Sequence, residues 1–112
     1  MTIREIAERL DATVRVGDDL LDKDIQSAFA SDMMSDVLAF ADDHSLLLSG
    51  LLNPQVIRTA HMLDMPCVVF VRGKVATEEI KALAMESHIA ILETKLHMYI
   101  ASGRLYEAGL CR

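Results

Sequence analysis

The chain has 112 residues, 52% of them hydrophobic, with seventeen acidic side chains against eleven basic ones and a net charge of −6. That is the length of one ordinary domain, large enough to bury a core without disulfides or metal. Its apolar runs are only a few residues long, far short of the ~20 that span a bilayer, and the acidic balance opposes non-specific contact with nucleic acid or an anionic membrane. Neither is expected as a partner. Mean hydropathy is nevertheless +0.27, so surplus apolar surface is expected to meet another subunit, most simply as a homodimer. The opening MTIREIAERLD has no basic start followed by an apolar run, so the cytoplasm rather than a secretory route is the expected compartment. Cys67, inside an apolar run, and Cys111, in the tail, suit neither a disulfide framework nor a zinc site.

In chain order, Thr2-Ile3-Arg4-Glu5 matches the capping box, in which the threonine and the glutamate three residues on satisfy each other's backbone amides. Ile3, Ile6, Ala7 and Leu10 then make one helical stripe. Ala12 to Val16 reads as a short strand closed by Gly17-Asp18-Asp19, where glycine can take a positive φ. Gln26 to Ala30 is read as a second strand, ended by Ser31-Asp32. Ser35 can cap the next helix, whose core face is Val37, Leu38 and Ala41, and Asp42-Asp43-His44 breaks it.

The stretch Ser45 to Val71 is a complete strand, glycine turn, helix and strand. Its first apolar run ends at Ser49-Gly50, and Asn53-Pro54 supplies a cap followed by proline at the first helical position. Val56, Ala60 and Leu63, with Ile57 beside them, form one face until Pro66 stops the helix before the strand Cys67 to Val71. Arg72-Gly73-Lys74 is the next turn. Thr77-Glu78-Glu79 starts a helix facing the core through Ile80, Leu83 and Ala84, with two acids placed well against the helix dipole. Ile89 to Glu93 is a further parallel strand, and Met98, Ala101, Leu105 and Ala108 mark a last helix stopped by Gly109. The alternation predicts a single α/β domain with a mixed, mainly parallel sheet, helices on both faces and right-handed crossovers. The N-terminal strands extend that sheet as a mixed edge.

From about Ser31 to Leu110, the runs Ser31-Asp32-Met33-Met34-Ser35-Asp36, Leu48-Ser49-Gly50-Leu51 and Asn53-Pro54-Gln55-Val56-Ile57 resemble the DRTGG domain family, and its stand-alone members in particular. Asp32 matches the acid of the name, Met33 stands where arginine is usual, and Ser49-Gly50-Leu51 replaces Thr-Gly-Gly. The resemblance implies the fold of the N-terminal domain of HPr kinase/phosphorylase, also found beside CBS domains in regulated pyrophosphatases. It further implies a regulatory, often dimeric and nucleotide-sensing role with no catalysis of its own. Similar stand-alone chains lie near iron-only hydrogenase and redox genes, which implies a redox or hydrogenase-associated protein partner.

In open α/β sheets a ligand sits outside the carboxyl ends of the strands, which here deliver Ser49, Gly50, Asn53, then Arg72, Gly73, Lys74, then Thr94-Lys95. Free amides at the helix start together with Arg72 and Lys74 suit a phosphate or carboxylate, hence a nucleotide or other anionic ligand. The plainer reading makes the glycines turn residues and the cations solvated. Asp32 and Ser35 are further candidates, either as ligand contacts or as simple helix-start residues. A small phosphoryl-transfer or hydrolytic enzyme built on them lacks a base nearby in sequence, and an adaptor holding protein partners without a small ligand is the other alternative. His44, His61, His88 and His97 lie on separate elements without metal-pair spacing, and no cofactor or metal is expected. Gly50 is expected to be the least replaceable residue, through either a positive φ or a ligand's approach to its backbone.

Overall fold

The computed structural model describes residues 1–111. Its first helix, α1 (Ile3–Arg9), starts at the capping box read from sequence. The Glu5 amide donates to the Thr2 hydroxyl at 3.2 Å, and the Glu5 carboxylate accepts the Thr2 amide and hydroxyl, each at 3.1 Å. Those bonds hold the Glu5 carboxyl below the usual carboxylate range, the backbone amide of Thr2 most of all. A depressed carboxylate adds stability above its unfolded pKa and loses it as pH falls through the folded value. Thr2→Ala, which removes the side-chain acceptor that caps α1, is expected to cost about 1 kcal/mol at neutral pH. The difference from the parent should narrow in urea titrations below the carboxylate range, and a gap that widened on acidification would contradict the assignment.

The remaining elements are β1 (Thr13–Val16), a single 3₁₀ turn (Asp18–Leu20), β2 (Ser27–Ala30), α2 (Met34–Phe40), β3 (Ser45–Ser49), α3 (Pro54–Met62), β4 (Cys67–Phe70), α4 (Glu78–Ser87), β5 (Ala90–Glu93) and α5 (Met98–Glu107). The sheet runs β1-β5-β4-β3-β2, with β1 antiparallel to β5 and every other pairing parallel. This is one α/β domain with a mixed, mainly parallel sheet. The two N-terminal strands do not share an edge: β1 closes one side and β2 the other.

Period-two alternation in the central strands divides the core. Leu46, Leu48, Cys67, Val69, Ala90 and Leu92 face α1 and α5, while Leu47, Val68, Phe70 and Ile91 face α2, α3 and α4. Both faces are covered, so these strands are buried at every position. α3 begins as its sequence dictates, with Asn53 Oδ1 accepting the Gln55 amide at 2.8 Å and Pro54 in the first turn. Burial of the Cys67 thiol pushes its pKa up to about 12, which leaves it a core side chain with no thiolate at neutral pH.

Two expectations fail at α2. Its cap is Met33, and the hydroxyl of Ser31 accepts the Met33 amide at 2.9 Å, so Ser35 lies exposed inside the first turn. Of the expected core face only Val37 is fully buried; Leu38 is 42% exposed. The helix lies at the β2 edge of the sheet and packs chiefly against α3, so only one side chain of its stripe is fully buried in the core. β2 itself begins at Ser27, one residue later than read.

Candidate functional site

The carboxyl ends of β2, β3, β4 and β5 converge as the parallel order requires. The Val71 amide donates to Ser49 O at 3.1 Å, the Arg72 amide to Leu96 O at 2.8 Å and the Gly73 amide to Thr94 O at 3.0 Å. Ser49-Gly50, Arg72-Gly73 and Thr94 are thus neighbours. Arg72 adopts φ 63° and Gly73 φ 73°. Among the described residues, positive φ at a non-glycine otherwise occurs at Asp11, Asp64 and His88, each at a helix carboxyl end, where a left-handed residue terminates the turn. Arg72 alone does so at a strand end, and the turn brings its guanidinium to Gly50, with Nη2 3.4 Å from Gly50 O.

Asp32 occupies the other side of Gly50. Its Oδ1 accepts the Gly50 amide at 2.7 Å and the Ser49 hydroxyl at 3.0 Å, while the Leu51 amide donates to Ser49 Oγ at 3.2 Å. The free amides expected for an anion are therefore filled from within. Gly50 N–H is held by Asp32, Gln55 N–H by the Asn53 side chain, and Val56 N–H by Asn53 O at 3.0 Å. What remains for a ligand is side-chain chemistry: Arg72, Lys74 and Lys95, none in an ion pair among the described residues, beside the exposed Asp32 carboxylate. Neighbouring strand ends thus supply three cations, Asp36 is a second exposed carboxylate near Asp32, and the Asp32 carboxylate adds an acceptor for a hydroxyl.

Thr94 does not join this surface. It is buried, and its hydroxyl donates to Leu10 O at 2.7 Å and accepts the Leu96 amide at 3.2 Å, tying β5 to the end of α1. Ser35 makes no side-chain hydrogen bond among the described residues and does not reach Asp32. Gly73 faces open space, and Asn53 is occupied as a cap.

Glu93, given no role in the sequence reading, holds the loop that carries Arg72 and Lys74. Its Oε2 accepts the Ala76 amide at 2.8 Å, and its Oε1 accepts Arg15 Nε at 2.9 Å and Nη2 at 2.7 Å. The bonds from Glu93, and then its charge, push the Arg15 guanidinium further up, so it stays cationic at any pH the fold survives. Arg15 and Glu93 lie on β1 and β5, paired across the sheet but 78 residues apart, so no local sequence signal marks them. No group of three or more histidine, cysteine, aspartate or glutamate side chains able to hold a metal occurs among the described residues.

The architecture matches a solved structure closely: the CBS and DRTGG domains of the regulatory region of Clostridium perfringens pyrophosphatase, complexed with the activator diadenosine tetraphosphate. The superposition has a TM-score of 0.74 and covers 93% of this chain at 16% identity. The chain has a DRTGG-like fold. It spans 45% of the length of that pyrophosphatase chain, and the identity is low enough that the likeness concerns the DRTGG-like fold alone. No family model matches the sequence, and no curated protein does. No helix among the described residues is long and apolar enough to cross a membrane.

Proposed function

We propose that this chain is a non-catalytic regulatory domain of the cytoplasm that senses a nucleotide or other anionic ligand at the carboxyl ends of β3, β4 and β5, and that it works as a homodimer. The observation that carries the reading is Arg72, a non-glycine residue in the left-handed region that sets a guanidinium beside Gly50 with no carboxylate partner among the described residues. Such a conformation costs on the order of 1 kcal/mol or more and points to a function when it lies away from helix ends. The likeness to a regulatory region bound to a dinucleotide activator supports the same reading. In it, Arg72 and Lys74 take the anion, Lys95 adds charge at the rim, and Asp32 accepts a hydroxyl of the ligand. Gly50, Ser49 and Asn53 shape the floor, and Gly73 gives the loop its turn. Asp32 serves as a contact, not as a catalytic acid.

The adaptor reading has one observation in its favour, the exposed apolar side chains Phe40, Tyr99 and Tyr106. A redox or hydrogenase-associated protein would dock on such surface. Thermal shift with inorganic phosphate, ATP and diadenosine tetraphosphate separates sensor from adaptor, because a ligand that binds only the folded state raises its melting temperature by mass action. Arg72→Ala combined with Lys74→Ala is expected to leave the unliganded melting temperature nearly unchanged, as fits an exposed loop. The same double change is expected to abolish the shift given by any hit. A double variant that responded to every hit as the parent does would place the site elsewhere.

A further inference from the structure

The two edges of the sheet are built differently. β1 shifts register between Val14 and Val16, and it carries Arg15, held by Glu93. A bulge and an edge charge are the means by which natural sheets block the addition of another strand. β2 has neither. Its residues Ser27-Ala28-Phe29-Ala30 are uncharged, contain no proline and pair in unbroken register with β3. From Ser27 onward the odd-numbered amides face inward, Ser27 to His44 O at 3.3 Å, an acceptor shared with the Gln26 amide just before the strand, and Ser31 to Leu48 O at 3.0 Å. The alternation therefore turns the amides of Ala28 and Ala30 outward, where no strand receives them.

A groove runs along each face of this bare edge. One, of about 350 Å³, lies between β2 and the end of α2 and is lined by Phe29, Phe40 and Ala41. The other, of about 300 Å³, lies between β2 and α5 and is lined by Ala28, Ala30, Leu105 and Tyr106. Phe40 is 74% exposed and Tyr106 67%.

We propose that a second copy of this chain covers this edge, its β2 pairing antiparallel to β2 about a two-fold axis, so that the two sheets run on as one. This names the interface of the homodimer proposed above and rests on that reading. Three features select a second copy over a foreign strand. An open strand edge is self-complementary under a two-fold, because the same outward amides and carbonyls recur on the partner. An axis perpendicular to the sheet keeps each residue on its own face. Phe29 and Phe40 of both copies then meet on one side and Tyr106 of both on the other, which extends apolar contact well beyond four residues of strand. Finally, antiparallel pairing sets the amino end of one β2 against the carboxyl end of its partner. That brings Lys23 towards Asp32 and Asp36; Lys23 is exposed between Asp22, held by Arg4, and Asp24, held by the amino terminus, and has no ion pair itself among the described residues. The same juxtaposition lays a second protomer against the mouth of the ligand crevice, so occupancy and dimerisation would share one surface.

Sedimentation velocity at micromolar concentration tests this with Ala30→Lys and Ala28→Pro. The first places a charge on the exposed side of the edge. The second deletes an outward amide that β3 does not use and leaves the inner ladder intact. Both are expected to weaken self-association about tenfold or more while circular dichroism and urea midpoints show a folded monomer. Thr13→Lys, on the opposite edge, is expected to leave the dimer intact. Should Ala28→Pro fail to fold, Ala30→Lys decides alone, since its side chain is already solvent-facing. A parent that dimerises while both variants do so equally well would overturn this interface and leave the homodimer standing. A parent found only as monomer would overturn both, and loss of the dimer in Thr13→Lys would move the interface to β1.

Discussion

Glu93→Ala is expected to cost about 2 to 4 kcal/mol in urea unfolding, one of the two largest effects of any single substitution considered for this chain. The carboxylate is 8% exposed, and both of its oxygens are engaged, by Ala76 N–H and by the fork of Arg15. Removing it leaves the Ala76 amide buried without a partner, while Arg15, 38% exposed on its side chain, regains water. The penalty therefore falls mainly on the amide and on lost packing, and less on a stranded charge. Glu93→Gln separates these contributions. Its amide oxygen can serve Ala76 or Arg15, but its NH₂ must then face the other donor, so an intermediate loss of about 1 to 2 kcal/mol is expected. Because Glu93 fixes the loop between β4 and α4, the alanine variant should also lose anion affinity beyond what its stability predicts. A midpoint unchanged in Glu93→Ala would mean that the edge strand and the loop are held by something else.

How far the sequence discloses this arrangement depends on the range of each interaction. The caps at Thr2 and Asn53 involve partners two or three residues away and form as read, and α4 starts at Thr77 as read, with the threonine hydroxyl also accepting the Ile80 amide. The strand, helix and strand from Ser45 to Val71 announce themselves through period and proline placement, and with them the parallel sheet and the turns at its carboxyl end. The details of that end are long-range. Asp32 reaches Gly50 across 18 residues, and Thr94 turns inward to Leu10 across 84, so a residue read as a ligand contact proves to be a structural tie. Arg15 and Glu93 meet only because β1 folds back antiparallel on β5, a pairing that periodicity does not specify. α2 misleads for a related reason. Its apolar residues follow a helical period, but burial depends on what lies beneath, and at the β2 edge the helix packs chiefly against α3.

Gly17→Ala is expected to be far more damaging than Gly50→Ala, which reverses the ranking suggested by sequence. Gly50 is not in the left-handed region. A methyl group there would crowd the head of Arg72, lying 2.9 Å from Nε and 3.0 Å from Cζ. The far end of a flexible, exposed side chain can swing aside, so the stability cost should stay below about 1 kcal/mol. The swing would nevertheless carry the guanidinium off the crevice, and anion affinity should fall. Gly17 offers no such escape. It sits at φ +96°, and an added Cβ would lie 2.8 Å from Ala90 Cα and 2.9 Å from Ala90 Cβ. Ala90 is buried in β5, with its amide bonded to Pro66 O at 2.9 Å, so the backbone it belongs to cannot retreat. The left-handed conformation costs an alanine roughly 1 to 2 kcal/mol, and forcing atoms into a filled core adds about 1 to 3 more. Gly17→Ala should thus lose on the order of 3 kcal/mol with no loss of ligand affinity in the molecules that remain folded. Urea unfolding and ligand titration on both variants give opposite patterns if the assignment is right. Equal destabilisation of the two would mean that Gly50 is held by its backbone after all, and that Arg72 lies over it only as a consequence of that turn.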